Sequence, residues 1–291
     1  MTADASAQIT ELAADDHVCL TFGEPEELFD LTAAFVRDGL AAGLKVVWLS
    51  DEGPGPMAAE LSRRGIAAGP ALDSGQMTTA GCEGRLLSGQ AFRAQEAVGW
   101  LASQLAASRD QGFAGLRVAV DMSWALRPVT GVEELPRFEE GITAALAGST
   151  ASVLCQYDRE RFDPVTLASV AGFHTRSVAA ATYYGDALLR ICRQYAPPGI
   201  RIAGELDYQA AEPLALALAE AVRLDGDIVF NMSALSFVDA PCTVMIADAA
   251  RAAAAAGRLV TVQCRTGVAK GFARVGIAGM PGIRLVSTGE Q

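Results

Sequence analysis

The chain has 291 residues, 51% hydrophobic and 20% charged. That balance excludes bulk disorder and fibrous repeats, and the length fits about two domains at ~150 residues each. The net charge of −11 argues against a nucleic-acid or anionic-membrane surface.

The charge is uneven. Residues 1–190 hold 14 Lys and Arg against 25 Asp and Glu, whereas 191–291 hold nine of each. This composition break at about 190 suggests domains over 12–190 and 195–291. The acidic stretch Met1–Asp16 lacks the apolar core of a signal peptide, and no run approaches ~20 apolar residues. A cytoplasmic chain with no membrane contact is expected. Its six scattered cysteines form no C-x-x-C pair and should be reduced there.

Residues 1–14 read as a frayed start. His17–Phe22 is a short apolar run, a strand, followed by a turn at Gly23-Glu24-Pro25. Leu28, Leu31, Phe35, Val36 and Leu40 have helical spacing over Glu26–Ala42, ended by Gly43. Lys45–Leu49 reads as a strand buried on both faces, and Pro56–Arg64 as a helix. Residues 66–88 are glycine-rich and give no clear element. A helix over Phe92–Arg109, a strand over Leu116–Val120 ending in Asp121, a helix over Gly131–Leu146, a strand over Ala151–Tyr157 and a helix over Asp163–Gly172 follow.

Ala196-Pro197-Pro198-Gly199 reads as a stiff linker. Beyond it, strands over Ile200–Ala203, Asp227–Asn231, Arg258–Gln263 and Ile283–Val286 alternate with helices over Glu212–Arg223, Pro241–Ala256 and Gly267–Val275. The alternation predicts an α/β protein with mostly parallel sheets.

A strand, a turn and a helix open the chain, as in phosphate-binding folds. The turn Phe22-Gly23-Glu24-Pro25-Glu26-Glu27 lacks the G-x-x-x-x-G-K-[ST] loop and presents three carboxylates. Carboxylates repel a triphosphate, so ATP is not expected there. Asp121, at a strand end, is a Walker-B-like position without its other half. The structural reading of Asp121, a loop anchor, is favoured over a catalytic one. No nucleophile–base pair emerges, so an enzyme is the minority reading. Its form is a degenerate nucleotide-binding or ATPase protein acting through Asp121.

Several blocks together resemble the MEDS sensory domain: Asp16-His17-Val18-Cys19-Leu20, Gly23-Glu24-Pro25-Glu26-Glu27, Leu116-Arg117-Val118, Asp121-Met122-Ser123-Trp124, Glu139, Leu154-Cys155-Gln156-Tyr157-Asp158 and His174. They occur in family order over about 12–188. Thr175 stands where the family has proline after the histidine. The resemblance implies a RecA-like, mostly parallel sheet flanked by helices that has lost its phosphate loop. It also implies a small-molecule ligand, with hydrocarbon derivatives as the class.

In open α/β sheets ligands sit beyond the carboxyl ends of the strands. That nominates Gly23, Glu24, Ser50, Asp51, Asp121, Met122, Ser123, Trp124, Tyr157 and Arg159. Trp124 is read equally as pocket wall or packing. His17 and Cys19 share one strand face. With Cys155 and His174 they form either a thiolate–imidazole metal site or a set of buried core groups, and the core reading is favoured, with no cofactor expected.

In the second half, Gly204-Glu205-Leu206-Asp207 and Asp227-Ile228-Val229-Phe230-Asn231-Met232-Ser233-Ala234-Leu235-Ser236-Phe237-Val238-Asp239 resemble the STAS domain, the anti-sigma factor antagonist module, over about 195–288. The resemblance implies a small α/β domain that binds an anti-sigma factor or switch kinase. The family's D-S-S-G is here Asp239-Ala240-Pro241-Cys242, so the phosphorylated serine is missing. Thr243 is the nearest hydroxyl. Asp207, Asp239, Pro241, Cys242 and Thr243 are the expected partner surface, and Ser233 and Ser236 the expected turn residues. Arg251, Arg258, Arg265, Lys270 and Arg274 either favour an acidic partner or form a solvated face. A second copy of the chain is an open partner class.

Overall fold

The computed structural model describes residues 8–51, 53 and 55–288. The first seven residues of the expected frayed start lie outside the described residues. Its remainder is partly anchored, because Ile9 sits fully buried in a 3-10 turn at Ile9–Glu11. The described chain forms two compact units, Met1–Ala179 and Ala180–Gln291.

The first unit runs β1 (His17–Phe22), α1 (Pro25–Ala41), β2 (Lys45–Ser50), α2 (Gly55–Arg63), α3 (Gly69–Asp73), β3 (Met77–Gly81), β4 (Leu87–Ser88), β5 (Ala91–Phe92), α4 (Ala94–Asp110), β6 (Leu116–Asp121), α5 (Leu135–Leu146), β7 (Ala151–Asp158), α6 (Pro164–Ala171) and β8 (Arg176–Val178). Its main sheet has the order β3-β2-β6-β7-β1-β8, with every pairing parallel. The expected α/β class with a mostly parallel sheet flanked by helices is what the chain adopts.

Side chains alternate across each strand, so β1 and β7 feed two layers. Cys19, Val120, Val153, Cys155 and Tyr157 face the core under α4 and α5, with Leu101, Phe138 and Ile142. On the other face, Gln156 of β7 donates to the Thr32 hydroxyl of α1 at 2.8 Å. Both layers are buried, which explains the near-continuous apolar runs.

Three local readings change. The helix expected from Phe92 begins at Ala94, because the Phe92 N–H is bonded to Thr130 O and held in β5. The helix expected from Gly131 begins at Leu135, after a 3-10 turn at Val132–Glu134. Gly131 itself has φ +89°, and a Cβ there would meet Phe92 O at 2.2 Å. The glycine-rich 66–88 region contains α3, β3 and β4.

The second unit runs β9 (Thr182–Gly185), β10 (Leu189–Tyr195), β11 (Pro198–Leu206), α7 (Ala211–Leu224), β12 (Ile228–Met232), β13 (Leu235–Val238), α8 (Ala240–Ala255), β14 (Val260–Arg265), α9 (Thr266–Arg274) and β15 (Ile283–Thr288). Its sheet is mixed, in the order β15-β14-β12-β11-β10-β9, with β13 beside β11. The break at residue 190 therefore falls inside this unit. The Ala196–Gly199 segment is no linker: it turns the antiparallel β10–β11 hairpin, in which Tyr195 pairs with Pro198. Ser233 lies in a turn as expected, but Ser236 is a β13 residue. A buried bidentate pair fastens the hairpin to the end of α7, with Arg193 Nη1 and Nη2 each 2.5 Å from an Asp225 carboxylate oxygen.

Candidate functional site

Gly23 follows β1, where a phosphate loop would need free backbone N–H groups. Here the Gly23 N–H donates to Glu27 Oε2 at 3.0 Å, and Arg159 Nη2 reaches the same oxygen at 3.2 Å. Glu27 lies in the first turn of α1 and is buried. The chain's own carboxylate thus takes the position that a helix N-terminus offers to an anion. A Cβ on Gly23 would meet the Arg159 guanidinium at 2.5 Å, so the side chain rests directly on the turn. Glu24 is the half-buried residue preceding α1.

The other strand ends are tied to one another. Asp121 accepts from Ser123 N at 2.9 Å and Asp51 N at 3.1 Å. This is the loop-anchor role, and it uses both carboxylate oxygens. Asp51 also pairs with Arg127 at 3.2 Å, and Ser50 is half-buried beside it. Met122, Trp124 and Tyr157 are fully buried. Trp124 packs on Phe92 at 4.5 Å between ring centroids, so its large face is spent on core packing. Of the nominated strand-end residues, Met122, Trp124 and Tyr157 are thus packed into the core, whereas Glu24 and Ser50 are half-buried.

A partly apolar cleft lies just beyond them. It measures about 500 Å³, and Leu126, Leu135, Phe162, Val165 and Val170 share its lining with Glu133, Asp163, Thr166 and Ser169. These come from the segments after β6 and β7 and from α5 and α6. Val165 is 79% exposed on its rim. Sequence reasoning missed this wall, because it looked at the first residues beyond each strand and not one turn further.

The second feature is a buried cluster between β1, β7, α5 and His174. His17 Nε2 is 3.1 Å and His174 Nε2 3.4 Å from Glu139 Oε2. Cys155 Sγ is 3.5 Å from His17 Nε2 and 3.6 Å from Glu139 Oε2. The four ligand atoms all lie within 4.8 Å of one another, and all four residues are buried. Tyr157 donates its hydroxyl to the other Glu139 oxygen. Outer partners fix the rings: His17 Nδ1 meets Thr143 Oγ1 at 2.8 Å, and His174 Nδ1 meets Val170 O at 2.8 Å.

The electrostatics follow from burial. Burial alone raises the Glu139 carboxyl, but His174, His17 and Tyr157 outweigh it and hold it below the usual range. Burial pulls His174 down to about 4 despite Glu139. It pushes the Cys155 thiol and the Tyr157 hydroxyl well up, and Glu139 adds to both. Cys19, pushed up to about 12 by burial and then Glu139, stands outside the set of four.

The set that forms is thus His17, Glu139, Cys155 and His174, with Glu139 in the place expected for Cys19. A signal for Glu139 was present. Leu135, Phe138, Ile142 and Leu146 form one buried stripe of α5, and Glu139 lies inside it. A carboxylate within an apolar stripe needs buried partners.

In the second unit Asp207 caps a 3-10 turn, accepting from Gln209 N at 2.9 Å. Asp239 caps α8, accepting from Cys242 N at 2.8 Å. Pro241 is exposed in the first turn of α8, whereas Cys242 and Thr243 are buried. The Thr243 hydroxyl donates to Asp239 O at 2.7 Å, which takes it off the surface. Arg251, Arg258 and Arg265 donate to the backbone carbonyls of Val275, Val222 and Ser233. Structure-bearing bonds thus occupy three of the five basic groups.

Among the described residues no helix is long and apolar enough to cross a membrane. No curated protein matches the chain. Among solved structures, a KaiC-like protein from the hyperthermophilic archaeon Pyrococcus horikoshii OT3 is similar, at 13% identity and a TM-score of 0.46, over 63% of this chain and 79% of that one. The profile of the family described as MEDS, MEthanogen/methylotroph, DcmR Sensory domain, matches residues 16–175, more than half of the chain.

Proposed function

This chain belongs to the MEDS family of sensory domains, and on that premise we propose a signalling protein that detects a small apolar or amphipathic molecule in its first unit. The second unit passes the result to a protein partner. The observation that carries this reading is the closed turn after β1. Gly23 N–H and Arg159 Nη2 both bond Glu27 there, so the chain's own carboxylate stands where a phosphate loop would receive its anion. Asp121, the anchor of the nucleotide alternative, has both oxygens engaged by Ser123 and Asp51. The cleft at Leu126, Phe162 and Val165 offers apolar walls at the strand ends instead.

The second unit is read as a STAS-like module binding an anti-sigma factor or switch kinase. The support is its sequence blocks and one surface. Tyr208, Phe237 and Val244 are exposed large apolar residues, and they flank Asp239 and Pro241 at one end of β11 and β13. Exposed apolar groups rimmed by caps suit protein contact. With no hydroxyl at Ala240 or Pro241, occupancy of the first unit replaces phosphorylation as the control, by population shift.

Calorimetry and thermal shift on the full chain test the reading. A homologous series of alkyl alcohols is expected to stabilise the protein increasingly with chain length, and Val165→Asp to abolish that effect. Magnesium ATP is expected to bind no tighter than ~1 mM, about −4 kcal/mol. Binding of ATP tighter than ~100 μM would overturn it.

A further inference from the structure

The hydrogen-bond network around the buried cluster fixes how both imidazole rings are turned. Val170 O can only accept, so His174 Nδ1 carries a hydrogen and Nε2 of the neutral ring is a bare lone pair. The Thr143 hydroxyl sits 2.8 Å from Phe173 O and 3.3 Å from Glu139 O, so its one hydrogen is spent on a carbonyl. It therefore accepts from His17 Nδ1, which turns His17 Nε2 toward the centre of the cluster, 3.1 Å from Glu139 Oε2.

Both Nε2 atoms converge on the same carboxylate oxygen, Glu139 Oε2. His174 Nε2 is buried and has no hydrogen-bond partner. Such a convergence of ligand atoms is costly in a buried core unless a cation occupies its centre.

We propose that His17, Glu139, Cys155 and His174 form a tetrahedral binding site for one divalent transition-metal ion, zinc by preference. Zinc bonds of about 2.0–2.2 Å to nitrogen and oxygen and about 2.3 Å to sulfur put tetrahedral edges near ~3.4 Å for nitrogen–oxygen and ~3.6 Å with sulfur. Four of the six observed separations are 3.1 and 3.4 Å for the nitrogen–oxygen pairs and 3.5 and 3.6 Å for two sulfur pairs, and all six lie within 4.8 Å. A carboxylate and a thiolate neutralise a dication, so the loaded site carries no net buried charge.

The donor set excludes calcium and magnesium, which take oxygen ligands, and suits zinc. Thr143, Val170 O and Tyr157 supply the outer hydrogen bonds that orient metal-bound histidines and carboxylates. Four protein ligands leave no open position, which is the pattern of a structural site rather than a catalytic one. The site stands independently of the ligand and partner read for the protein.

The test uses untagged full-length protein. Elemental analysis after dialysis is expected to give ~1 zinc per chain, falling below ~0.1 in Cys155→Ser and in His174→Ala. Cobalt added to chelator-stripped wild-type protein should give tetrahedral visible bands and a thiolate charge-transfer band. Cys155→Ser should abolish that band and Cys19→Ser should keep it. Wild-type protein with below ~0.1 metal per chain and no cobalt bands overturns the proposal. So does a charge-transfer band that survives Cys155→Ser and disappears in Cys19→Ser.

Discussion

The two ends of β1 use charge in opposite ways. Beyond Phe22, Gly23 N–H and Arg159 Nη2 both close on Glu27, a carboxylate of the same chain. At the other end, His17 faces a carboxylate, a thiol and a second imidazole, and His174 Nε2 among them has no hydrogen-bond partner. A site with all its polar groups paired repels a further ion, and one whose buried lone pairs converge attracts a cation. The contrast places a self-paired turn and a strongly polar buried cluster at opposite ends of one strand.

The largest expected effect lies at the cluster. Loss of a metal held at about 1,000 times its dissociation constant removes ~4 kcal/mol of stability. Denaturant unfolding of His174→Ala should report that loss in the first unit, and a chelator should destabilise wild-type protein but not the variant. At the turn, Glu27→Ala leaves Gly23 N–H and Arg159 without their carboxylate. A cost of ~1–3 kcal/mol is expected, with metal content unchanged. Equal metal loss in both variants would erase the distinction between the two ends.

Thr143→Val sharpens the comparison from the outer shell. It removes the acceptor for His17 Nδ1 while keeping side-chain volume. Metal affinity should fall ~10–100-fold in competition with a chelating dye. The smallest stability effect belongs to Val165→Asp. This exposed residue should change stability by less than ~0.5 kcal/mol, yet the alcohol-induced stabilisation should disappear.

Much of the first unit was legible because its strands are buried on both faces and its helices end in glycine. His17–Phe22 and Lys45–Leu49 could be read as strands from apolar runs alone. The antiparallel strands β9 and β10 were not, since Thr182–Gly185 is half-exposed and polar at its ends. Prolines at 197 and 198 carry the same local signal whether they punctuate a linker or a hairpin. Of the cluster, His17, Cys155 and His174 could be named as candidates from residue type. Cys19 lost its place because strand alternation puts two thiols on one face without saying which reaches α5. Glu139 took it because an i+4 position on α5 aims the carboxylate at the gap. That fact depends on how α5 lies on the sheet, which no local pattern encodes.

The most direct test is anomalous diffraction at the zinc edge from crystals of the full chain soaked with magnesium ADP. The expected map has one peak between His17, Glu139, Cys155 and His174, and no diphosphate at Gly23. A diphosphate clasped by the first turn, or an empty centre at the four ligands in protein loaded with zinc, would contradict the account.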